Sequence, residues 1–104
     1  MSLSRFGHMV YFTLKDSSDE AIDALIAGCD EFLTDHPGTV LYSSGKLADT
    51  TRPVNDRGFH VALHIVFDSR EAHDAYQVAP RHDAFIAKFK DNWERVRVFD
   101  SDVS

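Results

Sequence analysis

The sequence predicts an α+β domain whose elements follow the order β-α-β-β-α-β around one hydrophobic core. Segments with a two-residue apolar period alternate along the chain with segments that have a helical period. The chain has 104 residues, the size of one domain. Its balance of 43% hydrophobic to 27% charged residues is typical of a folded protein. We therefore expect residues 1–104 to form a single domain.

The first strand is expected at residues 7–14, an aromatic and β-branched run that is short for a helix. Alternation places two sets of side chains on opposite faces: His8, Val10, Phe12 and Leu14 on one, and Met9, Tyr11 and Thr13 on the other. Both faces are substantially apolar, so each needs a covering layer. We expect helices of the same chain on one face and a second copy of the chain on the other.

The first helix is expected to begin at Ser17, because Ser17 and Glu20 have the spacing of a capping box. The apolar residues that recur at helical spacing are Ile22, Leu25, Ile26, Cys29, Phe32 and Leu33. Cys29 lies in this stripe without an evident neighbouring base, which favours a core side chain over a reactive thiol.

Pro37 and Gly38 end this helix, and residues 39–46 form the second strand, with a bulge or bend expected at Gly45. Residues 47–58 lack periodicity and contain turn formers, so they are expected to form a solvated loop. Residues 59–67 alternate as a third strand.

Ser69 is expected to cap the second helix, which Pro80 interrupts before a further helical pattern at residues 82–90. The final strand follows Trp93 and is expected to end at Asp100. The aromatic side chains expected in the core are Phe85, Phe89, Trp93 and Phe99.

This element order matches the ferredoxin-like arrangement, in which a four-stranded antiparallel sheet carries helices on one face. Two such sheets packed face to face form a dimeric α+β barrel and bury side chains that a monomer exposes. We therefore expect a homodimer formed through the open face of the sheet.

Charge and composition exclude several classes of partner. The net charge of −6 argues against nucleic acid, which is bound through clustered Lys and Arg. The single cysteine cannot form an intramolecular disulfide, which indicates a reducing cytoplasm. The first residues lack the apolar core of a signal peptide, and no run of ~18 apolar residues predicts a membrane span.

The chain contains six histidines, which raises the question of a metal site. His60 and His64 share a strand face, but four residues along a strand span roughly 13 Å, too far for one ion. A metal held by His8, His82 and a third residue is the less favoured alternative. We expect no metal, and we expect His36 and His73 at the surface.

Several segments together carry a family resemblance. They are residues 8–15 (HMVYFTLK), Pro37–Gly38, Gly45, Phe67–Ser69, Tyr76-x-x-Ala-Pro80-x-His82-x-x-Phe85 and Val98–Asp100. In this combination the chain resembles the stress-responsive α/β-barrel family, called Dabb. The resemblance covers nearly the whole chain and implies the dimeric α+β barrel fold, which antibiotic-biosynthesis monooxygenases and haem-handling proteins share.

The resemblance also implies a possible chemistry. A plant polyketide cyclase of this family uses a tyrosine and a histidine of the helical segment to close a ring without a cofactor, and these residues map to Tyr76 and His82. An imidazole can accept a proton from an acidic carbon at neutral pH, and a phenol can hydrogen-bond the developing enolate. His8, Phe12 and Phe85 are expected to bind substrate in the same cleft, and no cofactor is expected.

One position departs from the family pattern, because Ala79 stands where a histidine usually precedes the proline. The alternatives therefore stay open. Tyr76 and His82 either catalyse a cofactor-free lyase or cyclase reaction, or they serve the packing of a dimeric module that binds a small apolar ligand. A monooxygenase-like function is the third alternative, and the sequence has no phosphate-cradling glycine-rich loop to favour it.

Overall fold

Four strands form one antiparallel sheet, and three helices pack on one of its faces. The computed structural model describes residues 2–104. The elements in chain order are β1 (Arg5–Leu14), α1 (Asp19–Phe32), β2 (Thr39–Lys46), β3 (Val61–Phe67), α2 (Arg70–Gln77), α3 (Pro80–Phe89), a 3₁₀ turn (Lys90–Asn92) and β4 (Trp93–Val103). This confirms the predicted ferredoxin-like arrangement, with the second helical segment divided in two at Pro80.

The sheet has the strand order β2-β3-β1-β4, so β1 is paired on both sides. The ends of β1 and β4 extend beyond the predicted bounds, because Arg5 pairs with Val103 in the antiparallel register. β3 begins at Val61 instead of at residue 59. The sequence prediction ended β4 at Asp100 because the Asp-Ser-Asp run that follows Phe99 has low strand propensity. Pairing with β1 overrides that local preference.

The hydrophobic core lies between the sheet and the helices. The β1 side chains predicted for one face, from His8 to Leu14, are all buried there. From α1, the predicted stripe contributes Leu25, Cys29 and Leu33 to the core. Burial raises the pKa of the Cys29 thiol to about 12, which keeps it protonated and supports its role as a core side chain.

Three further local expectations were wrong in position, by one, five and two residues. Ser18 rather than Ser17 caps α1: its Oγ accepts from the backbone N–H of Ala21 at 3.2 Å, while Asp16 accepts from the Ser18 N–H at 3.0 Å. The β-bulge of β2 lies at Val40, because Thr39 pairs with Phe67 and Leu41 with the next residue, Val66. Gly45 pairs regularly with Ala62.

The third wrong expectation is the start of α3, which begins at Pro80 instead of at residue 82. Proline is favourable at the first helical position, because its φ is already helical and its missing N–H has no intrahelical partner there. The same residue that interrupts the helical segment therefore opens the next helix.

The sheet face opposite the helices carries large exposed apolar side chains. Phe99, which was expected in the core, pairs with Met9 and is 51% exposed on this open face. Leu41 is also 51% exposed. Within residues 2–104, no helix is both long and apolar enough to cross a membrane.

Gly38 generates a prediction about stability. It has a φ of +86°, and a Cβ there would lie 2.4 Å from the Cβ of Ala72 and 2.9 Å from Asp68 Oδ1. We expect Gly38→Ala to lower the free energy of unfolding by about 1–3 kcal/mol in urea titrations at one protein concentration. Gly45→Ala is the matched control, because a Cβ at Gly45 meets nothing within 4 Å. Equal stability of the two variants would contradict the structure of this turn.

Candidate functional site

A cavity of about 220 Å³ opens between the sheet and the helices, on the side where β1 meets β4. It exists because α1 packs against β2 and β3, and α2 against β1 and β3, which leaves β4 less covered. Val96 and Val98 consequently stay 40% and 49% exposed, although the register places them on the helix side. The residues that line the cavity are His8, Val10, Phe12, Leu33, Leu63, Tyr76, Gln77, His82, Phe85, Ile86, Trp93, Val96, Val98 and Asp100.

His8 and Asp100 form a hydrogen-bonded pair in this cavity. The antiparallel register places them directly opposite each other on β1 and β4, and His8 Nδ1 lies 2.6 Å from Asp100 Oδ1. Burial lowers the pKa of His8, against the hydrogen bond and the charge of Asp100, which raise it. A neutral His8 donates from Nδ1 to the carboxylate and keeps its Nε2 lone pair free.

Tyr76, on α2, is the buried centre of an aromatic cluster. Its ring centroid lies 4.8 Å from that of His82, 4.9 Å from that of His36 and 5.9 Å from that of His8. Desolvation raises the pKa of Tyr76 far above its usual value. The phenol therefore stays protonated and is available as a hydrogen-bond donor.

His82 lies in the first turn of α3, where Pro80 fixes the start of the helix. Burial lowers the pKa of His82; the carboxylate of Asp83 opposes this, and the nearby His8, His36 and His73 add to the lowering. Its buried Nδ1 has no hydrogen-bond partner among residues 2–104. An unprotonated imidazole in the cavity wall has the state that a general base requires.

The structure places all five sequence-predicted site residues on the wall of this one cavity: His8, Phe12, Tyr76, His82 and Phe85. The Phe12 and Phe85 ring centroids are 6.3 Å apart, and Trp93 packs against both, at 5.1 and 5.7 Å. These rings form an apolar floor beside the polar groups. The catalytic and binding roles assigned to the five residues stay predictions.

Two histidines expected at the surface are buried, His36 at 6% and His73 at 8% exposure. His36 Nε2 lies 2.8 Å from the carbonyl oxygen of Phe32, which holds the ring against Tyr76. His73 lies three residues before Tyr76 on α2 and packs against Phe6, with 4.3 Å between ring centroids. The (i, i+3) spacing from Tyr76 was the sequence signal that both residues face the sheet.

Asp100 is the site residue that the sequence analysis did not identify. Its position opposite His8 depends on the β1–β4 register, which the sequence alone does not give. The structure also brings His73 close to this pair: His8, His73 and Asp100 each offer one donor atom, and these atoms lie within 4.8 Å of one another.

The chain matches one sequence family and is similar in fold to several solved structures. The family model described as Stress responsive A/B Barrel Domain, or Dabb, matches residues 6–103. No curated protein sequence matches the chain significantly.

Three solved structures have a backbone fold similar to that of this chain. A dimeric ferredoxin-like protein of unknown function from Thermobifida fusca is 17% identical, with a TM-score of 0.79 over 96% of this chain and 92% of its own. A hydroxynitrile lyase from Passiflora edulis is 23% identical, with a TM-score of 0.79 over 99% and 96%. The protein At3g17210 from Arabidopsis thaliana is 25% identical, with a TM-score of 0.78 over 95% of both chains. Because the first two structures have low sequence identity to this chain, their similarity shows a shared fold alone.

The lowered pKa of His82 predicts a pH dependence of stability. Between the folded pKa and the unfolded value near 6.5, the unfolded state binds more protons than the folded state. The free energy of unfolding should therefore fall as pH decreases from about 6.5 through the folded pKa, and the contribution should be complete above 6.5. Urea titrations across this range should show a smaller decrease for His82→Gln than for the wild type.

Asp83→Asn is the matched variant, because it removes the charge that raises the pKa of His82. With Asp83→Asn, the decrease in the free energy of unfolding should extend to a more acidic pH than in the wild type. Identical pH profiles for the wild type and His82→Gln would show that His82 titrates as it does in the unfolded chain.

Proposed function

The chain belongs to the stress-responsive A/B barrel (Dabb) family, and we propose that its cleft catalyses cofactor-free proton transfer on a small apolar carbonyl compound, as a lyase or cyclase. One observation carries the proposal: a protonated phenol and an unprotonated imidazole, Tyr76 and His82, meet in one cavity with ring centroids 4.8 Å apart. This is the pair that a cofactor-free enolisation needs.

The two residues have complementary tasks. His82 accepts the proton of an acidic C–H or O–H group. In enolisation the C–H electron pair forms a carbon–carbon double bond while the carbonyl π pair moves onto oxygen; in hydroxynitrile cleavage the O–H pair forms the carbonyl bond while the bond to cyanide breaks. Tyr76 donates a hydrogen bond to the oxygen on which negative charge develops. After the carbon–carbon bond has formed or broken, the imidazolium returns the proton to the product. No net oxidation occurs, so no redox cofactor is required.

The His8–Asp100 pair supplies a second imidazole to the same cavity. Because Asp100 accepts from Nδ1 at 2.6 Å, the ring orientation and tautomer of His8 are fixed. Its free Nε2 can bind a substrate hydroxyl group and orient it toward His82. We assign His8 a substrate-positioning role in this proposal.

The size and lining of the cavity favour a small, largely apolar substrate. A volume of about 220 Å³ is smaller than the roughly 300–1,000 Å³ typical of sites for drug-sized ligands. The walls are mostly aromatic and aliphatic side chains, including Phe12, Phe85 and Val98. An aromatic or short-chain carbonyl compound fits these surroundings.

The Passiflora edulis hydroxynitrile lyase shares the fold and suggests a probe reaction. Cleavage of a hydroxynitrile removes the hydroxyl proton and breaks the bond to cyanide, leaving a carbonyl group and hydrogen cyanide. The same type of base and hydrogen-bond donor supports this reaction and an aldol-type ring closure.

We also propose that the protein is a homodimer formed through the open face of the sheet. The exposure of Phe99 and Leu41, each 51%, supports a covering partner. A groove on this face is lined by Met9, Tyr11, Asp56, Phe59, Arg97 and Phe99. The Thermobifida fusca protein with the same fold is described as dimeric.

Substitution of the two proposed catalytic residues tests the chemistry. We expect His82→Gln to lower kcat about 10²–10⁴-fold and Tyr76→Phe about 10²–10³-fold. Suitable readouts are benzaldehyde release from mandelonitrile and deuterium uptake at the α carbon of acetophenone. The matched controls are His64→Gln and Tyr42→Phe; Tyr42 donates to Asp30, away from the cavity lining.

Two results would overturn the catalytic proposal. One is turnover that both cleft variants retain at the wild-type rate. The other is absence of turnover together with thermal stabilisation by acetophenone that Tyr76→Phe abolishes, which would establish a noncatalytic binding module instead.

The homodimer has its own test in light scattering at micromolar concentration. The wild type should have twice the 11.7 kDa mass of the chain, and Phe99→Glu should be monomeric because it places a charge in the proposed interface. Val78→Glu is the control, since Val78 is 75% exposed at the end of α2. A monomeric wild type would contradict the proposed dimer.

A further inference from the structure

Three side chains from three different elements meet beside the cavity: His8 of β1, His73 of α2 and Asp100 of β4. One donor atom from each lies within 4.8 Å of the other two. We propose that this cluster is a binding site for a divalent transition metal, with Zn²⁺ as the preferred ion. Two imidazoles and one carboxylate are ligands that this ion takes in proteins.

His73 is oriented as a metal ligand usually is. Its Nδ1 lies 3.0 Å from Asp74 Oδ1, and because a carboxylate only accepts, Nδ1 carries the proton. Nε2 then keeps its lone pair, and it is buried with no hydrogen-bond partner in the described part of the chain. A carboxylate that holds the far nitrogen of a histidine is the usual outer shell of a zinc-bound imidazole.

Burial makes an unsatisfied nitrogen at this position costly. His73 is 8% exposed and packs against Phe6, Phe67 and His8, with 4.9 Å between its ring centroid and that of His8. Phe6 and Phe67 have no hydrogen-bond donor, and the Nδ1–H of His8 is directed to Asp100. A metal ion would satisfy the nitrogen that the protein leaves unpaired.

His8 and Asp100 complete the site with a modest adjustment. In a tetrahedral zinc site the donor atoms lie roughly 3.3 Å apart, as follows from bond lengths of about 2.0–2.1 Å. The three donor atoms must therefore move closer together when the ion binds. Asp100 can move because its side chain is 40% exposed. The proton that His8 Nδ1 shares with Asp100 Oδ1 at 2.6 Å would leave when the ion binds.

The charge around the cluster also suits a cation. Asp100 and Asp74 contribute two carboxylates, and the Nε of Arg70 lies 4.0 Å from Asp74 Oδ1. Three protein ligands leave a fourth coordination position free. Since His8 and Asp100 line the cavity, that position would face a bound carbonyl or hydroxyl group.

The experiment uses the untagged full chain, freed of metal with a chelator and dialysed, and titrated with zinc chloride in a calorimeter. We expect one ion per chain with a dissociation constant of about 10 µM or lower, which corresponds to a binding free energy of about −7 kcal/mol. Cobalt substitution should give visible bands of a four-coordinate ion. His73→Gln and Asp100→Asn should each weaken zinc binding at least about 10-fold, and Asp74→Asn about 10-fold through the outer shell.

His64→Gln is the control, because His64 lies on the opposite face of the sheet, where it contacts Tyr11. It should bind zinc like the wild type. Circular dichroism verifies folding, and the exposed Asp100→Asn variant keeps the test valid where His73→Gln does not fold. Absence of binding below about 100 µM, or equal affinity of the wild type and Asp100→Asn, would overturn the proposed site. Neither result bears on turnover by Tyr76 and His82, which is measured with chelator present.

Discussion

The pairing of β1 with both of its neighbours is the interaction on which the rest of the structure depends. β1 lies inside the sheet, between β3 and β4, and contributes alternate side chains to the helix-covered core and to the open face. The register with β4 sets His8 opposite Asp100. Because the side-chain period of a strand is two, a slip of one residue would exchange the two faces and dismantle the site.

The incomplete cover of β4 follows from this arrangement and creates the cavity. Polar groups there are surrounded by apolar walls, so desolvation dominates their ionisation. The phenol of Tyr76 keeps its proton, and the imidazoles of His8 and His82 lose theirs more readily than in water. The same burial that stabilises the core thus favours a protonated phenol and unprotonated imidazoles side by side.

Much of the fold could be predicted because each element carries its own local signal. The bounds of β2 at residues 39–46 agree with the structure, as does Ser69 as the cap of α2. Packing between elements that are distant in the sequence was harder to predict. His73 has charged neighbours in Arg70, Glu71 and Asp74, so the local pattern predicted a surface residue, but docking of α2 on β1 buries it. Phe99 looked like a core residue, and only the register shows that it faces away from the helices.

In the proposed function, the two faces of the sheet have different tasks: the helix-covered face carries the catalytic residues, and the open face receives a second copy of the chain. The most direct test of this division is an NMR titration of the ¹⁵N-labelled protein with acetophenone, a small aromatic ketone. We expect shifts in the resonances of His8, Tyr76, His82 and their backbone neighbours, with His64 and Phe99 unchanged. Shifts confined to residues of the open face, such as Tyr11 and Phe99, would contradict the assignment of the functional site to the cleft.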